Sequence, residues 1–150
     1  LIIRIGDFFF KYRNLLFPAV VISLLLIRAP EYSYFGSERA EEIKDWIAAA
    51  IVIIGLSLRA AVIGFAYIKR GGLKKQVYAD TLVTEGFFRI CRNPLYVGNL
   101  IIYLGVMLMH GSPWVIALGM AFFLFVYQSI VAAEEYFLRN KFGKEYTNYC

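Results

Sequence analysis

Four apolar runs, parted by short polar segments, dominate the pattern along this chain. Trp46 to Ile68 holds 23 residues with a single charge, Arg59, and Trp114 to Ala133 holds 20 with none. Each is long enough to cross a bilayer as a helix, which takes about 20 residues at about 1.5 Å of rise apiece. Leu95 to Met109 is shorter, about 22 Å as a helix, and crosses only if its flanks contribute. Leu15 to Ile27 is shorter still; widened to Tyr12–Ala29 it crosses with Arg13 and Arg28 reaching back toward water. The pattern predicts an all-α integral membrane bundle of about four transmembrane helices, residues 1–150 forming one domain.

The polar segments supply the punctuation. Residues 30–45 predict a connection ending in a short amphipathic helix, with Ser37 as its N-cap. Gly71 and Gly72 predict the stop of the second span. Residues 73–93 show no period and predict an ordered loop. Pro94 suits the first turn of the next helix, where its missing N–H costs nothing. Gly111-Ser112-Pro113 predicts a tight turn, so the last two spans form an antiparallel hairpin. That hairpin returns Glu134 to the membrane face that holds Asn93 and Tyr96.

Composition agrees. With 60% hydrophobic residues, 17% aromatic residues and a mean hydropathy of +0.61, a soluble domain is excluded. Charge sets the orientation. Four spans place Arg4, Lys11, Arg13, Lys69, Arg70, Lys74, Lys75, Arg89, Arg92, Arg139, Lys141 and Lys144 on one side, against Arg28, Arg39 and Lys44 on the other. The positive-inside rule makes the basic side, with both termini, cytoplasmic. The net charge of +5 therefore reads as orientation and contact with anionic membrane lipid, with no nucleic-acid partner. Cys91 and Cys150 fall on that reducing side, so neither a disulfide nor a metal site is expected. No cleavable signal peptide is expected.

A few polar residues carry candidate chemistry. Glu134 and Glu135 stand where the last span leaves the hydrocarbon, either as solvated acids or as acceptors for a cofactor amine or ribose. Arg59 lies near mid-span, where charges are costly and face the bundle interior; a buried ion pair and a substrate contact both fit. His110 is the only histidine, but it follows Tyr96 by 14 residues, about 21 Å of helix, and belongs to the opposite interface. Gly98, Gly105, Gly111 and Gly119 suit close helix packing better than phosphate binding.

Leu82-Val83-Thr84-Glu85-Gly86, Arg92-Asn93-Pro94-Leu95-Tyr96-Val97-Gly98, Glu134-Glu135 and Phe142-Gly143-Lys144-Glu145-Tyr146-Thr147-Asn148-Tyr149 follow one another in order. In these pieces the chain resembles the isoprenylcysteine carboxyl methyltransferase family and its phospholipid methyltransferase relatives. The resemblance implies a membrane methyltransferase domain with a cytoplasmic S-adenosylmethionine pocket. Cofactor contacts would fall on Asp80, Thr81, Leu82, Val83, Phe88, Asn93, Pro94, Leu95, Tyr96 and Glu134, with Glu134, Asn93 and Tyr96 at the reacting end. Backbone groups at 81–83 would bond the adenine edge and Phe88 would cover its face. Asn93 stands where the family commonly has His. Ile130 stands where prenylcysteine enzymes place a substrate-contacting Arg, so Arg59 or Arg139 would have to substitute.

Methyl transfer from a sulfonium chiefly demands in-line positioning, so an ionised carboxylate or thiolate acceptor needs no strong base. An amine acceptor would need a proton taken by Glu134, Glu135 or water. The implied acceptor is lipidic or prenylated and enters sideways from the bilayer, most simply a protein-S-isoprenylcysteine carboxylate. Phospholipid amines and thiols are the nearest alternatives. A sterol-reductase-like, NADPH-dependent enzyme shares a related Arg-x-Pro-x-Tyr segment, but the Glu-Glu pair before Phe-Gly favours methyl transfer.

Overall fold

The computed structural model of the chain describes residues 1–27, 29–30, 37–65, 82 and 84–150, with backbone alone at residue 65. These residues form six helices: α1 (Ile2–Ile27), α2 (Glu38–Phe65), α3 (Phe87–Ile90), α4 (Pro94–His110), α5 (Pro113–Phe142) and α6 (Lys144–Tyr149). Among the described residues there is no strand. Three helices, α1, α2 and α5, are long and apolar enough to cross a membrane, whereas α4, with 17 residues, is the short one. The expected stop at Gly71 and Gly72 lies outside the described residues.

Three boundaries differ from the hydropathy reading, each for a physical reason. Helix α1 begins at Ile2, well before the first unbroken apolar run. Its course is set by the face that meets α5, where Gly6, Phe10 and Phe17 are buried, while Arg4, Asp7 and Lys11 point outward between them. The separate amphipathic helix expected before Trp46 is instead the opening of α2, because no glycine or proline interrupts 38–65 except Gly55 and Gly64. Ser37 does stand at its N-cap position, with its carbonyl accepting the Glu41 N–H at 3.2 Å. Helix α5 continues past Ala133 to Phe142, so Glu134 and Glu135 ride on a rigid helix. The expected loop up to residue 93 also contains the single-turn α3.

Helix α2 packs chiefly on α4 and α1 on α5, and α4 joins the two pairs through its contact with α5. Small residues permit these approaches. A Cβ added at Gly98 would lie 2.7 Å from Arg59 Cγ, and one at Gly105 would lie 2.6 Å from Val52 Cγ2 and 2.9 Å from the Ala48 carbonyl oxygen. One at Gly6 would collide with the Ser129 backbone. Gly111 serves differently, capping α4 in the left-handed conformation and making the turn into α5.

Between α1, α4 and α5 the core is aromatic. Phe17, Phe123 and Tyr127 are buried together, and the Tyr103 ring stacks on Phe123 with centroids 4.0 Å apart. Apolar residues such as Ile53, Ile54, Leu118, Leu124 and Phe125 face outward, as a lipid-exposed surface requires. The antiparallel packing gathers the start of α1, the end of α2, the start of α4 and the end of α5 at one end of the bundle. His110 is buried at the other end, its Nε2 3.2 Å from the Leu25 carbonyl oxygen.

Candidate functional site

The segment leading into α4 turns sharply because Gly86 adopts φ +61°, a value that side-chain-bearing residues rarely take. One turn of helix follows, then Cys91 and Arg92, and Asn93 caps α4 without using its side chain. Pro94 occupies the first turn, which points the Tyr96 side chain across to α5. There the Tyr96 hydroxyl donates to Glu134 Oε1 at 2.9 Å. Glu134 is 9% exposed, so its carboxyl group sits inside the bundle end.

Glu135, about 100° further round the same helix, has a different surrounding. It pairs with Arg92 at 3.2 Å and with Arg139 at 3.5 Å. Arg139, the residue offered as a substitute substrate contact, is thus engaged in a surface ion pair. Arg92 also meets the Cys150 sulfur at 3.3 Å, and the Cys150 and Glu135 contacts together push its guanidinium pKa further up.

The last motif piece folds back over the first. Gly143, at φ +53°, ends α5 and starts α6. The Tyr149 hydroxyl then donates to the Phe88 carbonyl at 2.5 Å. Leu82 packs with Phe137, Phe142 and Tyr149 against buried Leu138 and Tyr146. Burial raises the Tyr146 phenol above its usual pKa, so it stays neutral at this packing site. Phe88 is itself buried. All four motif pieces therefore meet at one end of the bundle. Of the ten cofactor candidates, Leu82, Phe88, Asn93, Pro94, Leu95, Tyr96 and Glu134 belong to this cluster or its immediate backbone; Asp80, Thr81 and Val83 lie outside the described residues.

Next to the cluster lies a cavity of about 690 Å³, within the range of small-molecule sites. Helix α1 contributes Arg13 and Asn14, α2 contributes Arg59 and Ile63, α4 contributes Leu95, Tyr96 and Asn99, and α5 contributes Tyr127. Arg59 Nη1 donates to Asn99 Oδ1, and Asn99 Nδ2 donates to the Tyr127 hydroxyl at 2.8 Å. The Tyr127 ring lies 5.0 Å from the Tyr96 ring, which links this polar chain to Glu134. Of the two partners open to Arg59 from sequence, a carboxylate is not found among the described residues, where Arg59 bonds an amide instead.

Arg13 does not simply reach for water. It is half-buried, lines the cavity and covers the Phe10 ring at 4.3 Å. Ile130 is fully buried in the aromatic core beside Phe10, Phe17 and Tyr127 and is not among the residues lining the cavity. Sequence reasoning missed Asn14, Asn99 and Tyr127. A signal existed for two of them: Asn99 is one turn after Tyr96, and Tyr127 two turns before Glu134, on the facing sides of the hairpin. Among the described residues, no group of three or more His, Cys, Asp or Glu side chains could hold a metal ion.

Residues 44–145 match the model of the phospholipid methyltransferase family. The cobalt-zinc-cadmium resistance protein CzcN of Cupriavidus metallidurans is 32% identical over 119 residues, 77% of this chain and 52% of that protein. A probable protein-S-isoprenylcysteine O-methyltransferase of Oryza sativa subsp. indica is 30% identical over 112 residues, 71% of this chain and 56% of its own. The nickel-cobalt-cadmium resistance protein NccN of Alcaligenes xylosoxydans xylosoxydans is 30% identical over 108 residues, 70% of this chain and 48% of its own. This chain spans about half the length of the curated relatives it matches. No solved structure matches it.

Proposed function

The chain belongs to the phospholipid methyltransferase family of membrane methyltransferases, and from that premise we propose that it transfers a methyl group from S-adenosylmethionine to a lipidic acceptor. The observation that carries this reading is the Tyr96–Glu134 hydrogen bond, which closes two motif pieces 38 residues apart into one wall. The donor set fits the cofactor's amino-acid end. Glu134 offers a buried anion for its ammonium or ribose hydroxyls, and the start of α4 at Pro94 offers a positive helix end for its carboxylate. When bound, the cofactor would supply an electrophilic methyl on a sulfonium for the acceptor's lone pair, with S-adenosylhomocysteine as the leaving group.

The remaining roles belong to this chain's own residues. Tyr96 holds the Glu134 carboxylate in place, and Asn93, whose side chain makes no capping hydrogen bond, would serve the reacting end as a hydrogen-bonding group. Backbone groups from Thr81 through Leu82 to Val83 would bond the adenine edge and Phe88 would cover its face, with Asp80 and Leu95 as further cofactor contacts. The acceptor class favoured is the protein-S-isoprenylcysteine carboxylate, in keeping with the rice relative's name; a phospholipid amine is the neighbouring choice. In this reading α4 crosses with help from its flanks, making four spans, and the basic side with the pocket faces the cytosol.

Titrating the detergent-solubilised protein separately with S-adenosylhomocysteine and NADPH tests the proposal. Binding of the first, lost in Glu134→Ala while thermal unfolding stays cooperative, is the expected result; binding of NADPH alone would overturn it. Labelled-methyl transfer to prenylcysteines, phosphatidylethanolamine and thiols then identifies the acceptor.

A further inference from the structure

Two guanidinium groups line one cavity inside a bundle of membrane-spanning helices, and among the described residues neither has a carboxylate partner. A charge at such depth is costly and persists where it pairs or serves a ligand. Arg59 spends one N–H on Asn99, and a guanidinium carries five. Asn99 in turn is fixed by Tyr127, so its amide oxygen is committed to Arg59 and holds that head in the cavity. Arg13 reaches the same cavity from α1, with one face laid on Phe10.

The rest of the lining says what else the occupant carries. Phe17, Tyr103 and Ile63 are apolar surface beside the two cations, and Ile63 is 56% exposed on the outer, lipid-facing side. The volume of about 690 Å³ exceeds what a lone carboxylate or phosphate needs, leaving room for the first part of a chain. Tyr96 lines this cavity and also bonds Glu134, so an occupant here abuts the proposed methyl-transfer site.

We infer that this cavity selects amphiphilic acceptors bearing a fixed anion, a carboxylate or a phosphodiester, by seating that anion between Arg13 and Arg59. The inference rests on the methyltransferase reading for its word acceptor, but the anion site is testable without turnover. The full chain, in nanodiscs of uncharged lipid, is titrated with four probes: N-acetyl-S-farnesylcysteine, its neutral carboxamide, lysophosphatidylethanolamine, and an uncharged monoacylglycerol. Each titration is run with and without S-adenosylhomocysteine.

The expected result is that at least one anionic probe binds about tenfold or more tightly than its uncharged counterpart, the scale of a charge-assisted contact. Selectivity for the cysteine carboxylate alone, or for the phosphodiester alone, identifies the source of the anion, and either supports the inference. Arg13→Gln and Arg59→Gln should each erase that preference while S-adenosylhomocysteine affinity stays within about twofold. Arg59→Lys, which keeps the charge, should retain part of it. Equal binding of charged and uncharged probes, or undiminished preference in the Gln variants, overturns the inference. Loss of S-adenosylhomocysteine binding with the anion preference intact would instead overturn the methyltransferase reading alone.

Discussion

Replacing Gly98 by alanine should strike the joint between α2 and α4, and the geometry sets the size of the effect. The new methyl would stand 2.7 Å from Arg59 Cγ and 3.3 Å from the Gly55 carbonyl oxygen. Carbon atoms settle at about 3.5–4.0 Å, so the Arg59 stem must retreat by about 1 Å. A free surface arginine would swing aside at little cost. Here the head is tied to Asn99, and the Gly55 oxygen is backbone, so either that hydrogen bond stretches or the helices part by a few tenths of an ångström. Overpacking of this kind costs about 1–3 kcal/mol. At about 2–4 °C per kcal/mol for a chain of this size, the unfolding midpoint should fall by about 2–12 °C.

Gly64→Ala is the matched control, since among the described residues its methyl meets nothing within 4 Å and alanine is the better helix former. Thermal unfolding in one detergent, followed by tyrosine and tryptophan fluorescence, reads both. S-adenosylhomocysteine affinity should be little changed in Gly98→Ala, whereas the acceptor's KM should rise as Arg59 is displaced. A Gly98→Ala protein as stable as Gly64→Ala, with acceptor KM unaltered, would refute the close-packed joint.

Glu134→Gln should weaken S-adenosylhomocysteine binding by about 10- to 100-fold, the loss of a charged hydrogen-bond acceptor, and Tyr96→Phe by about 2- to 10-fold, both read by calorimetric titration. In the double variant the second change should add little, because the two groups share one hydrogen bond. Gly86→Ala should cost about 1–3 kcal/mol by forcing a positive φ, since among the described residues nothing crowds the added methyl; a midpoint equal to the parent's would contradict that. Tyr149→Phe should remove the hydrogen bond to the Phe88 carbonyl and speed amide exchange and proteolysis around α6, with little effect at the α1–α5 contact.

Much of this architecture could be read from residues alone, where a single local cause decides. Pro94 and Gly111 bracket α4 as punctuation predicts. The hairpin they frame returns α5 to the end of the bundle where α4 begins, and there the long Tyr96 side chain reaches the Glu134 carboxylate. The start of α1 was illegible for the opposite reason. Its buried face runs through Gly6, Phe10 and Phe17 with charges interleaved, and hydropathy averages that face away. Glu134 and Glu135 look alike in sequence but diverge by burial and partners, which only helix rotation decides. Asn99, Tyr127 and Arg13 carry no motif. Their meeting depends on how three helices are registered, and no residue encodes that alone.

The two guanidiniums facing the cavity also bear on product release and on how many times one acceptor can react. Methylating a carboxylate would turn an anion into a neutral ester, so a product seated on Arg13 and Arg59 as inferred above would lose its hold as the reaction ends, and departure would follow after one turnover. Methylating an amine on a phosphodiester would leave the phosphate untouched, and the product would be held as firmly as the substrate. The same pair of cations would then favour repeated methylation of a single head group before it drifts back into the bilayer.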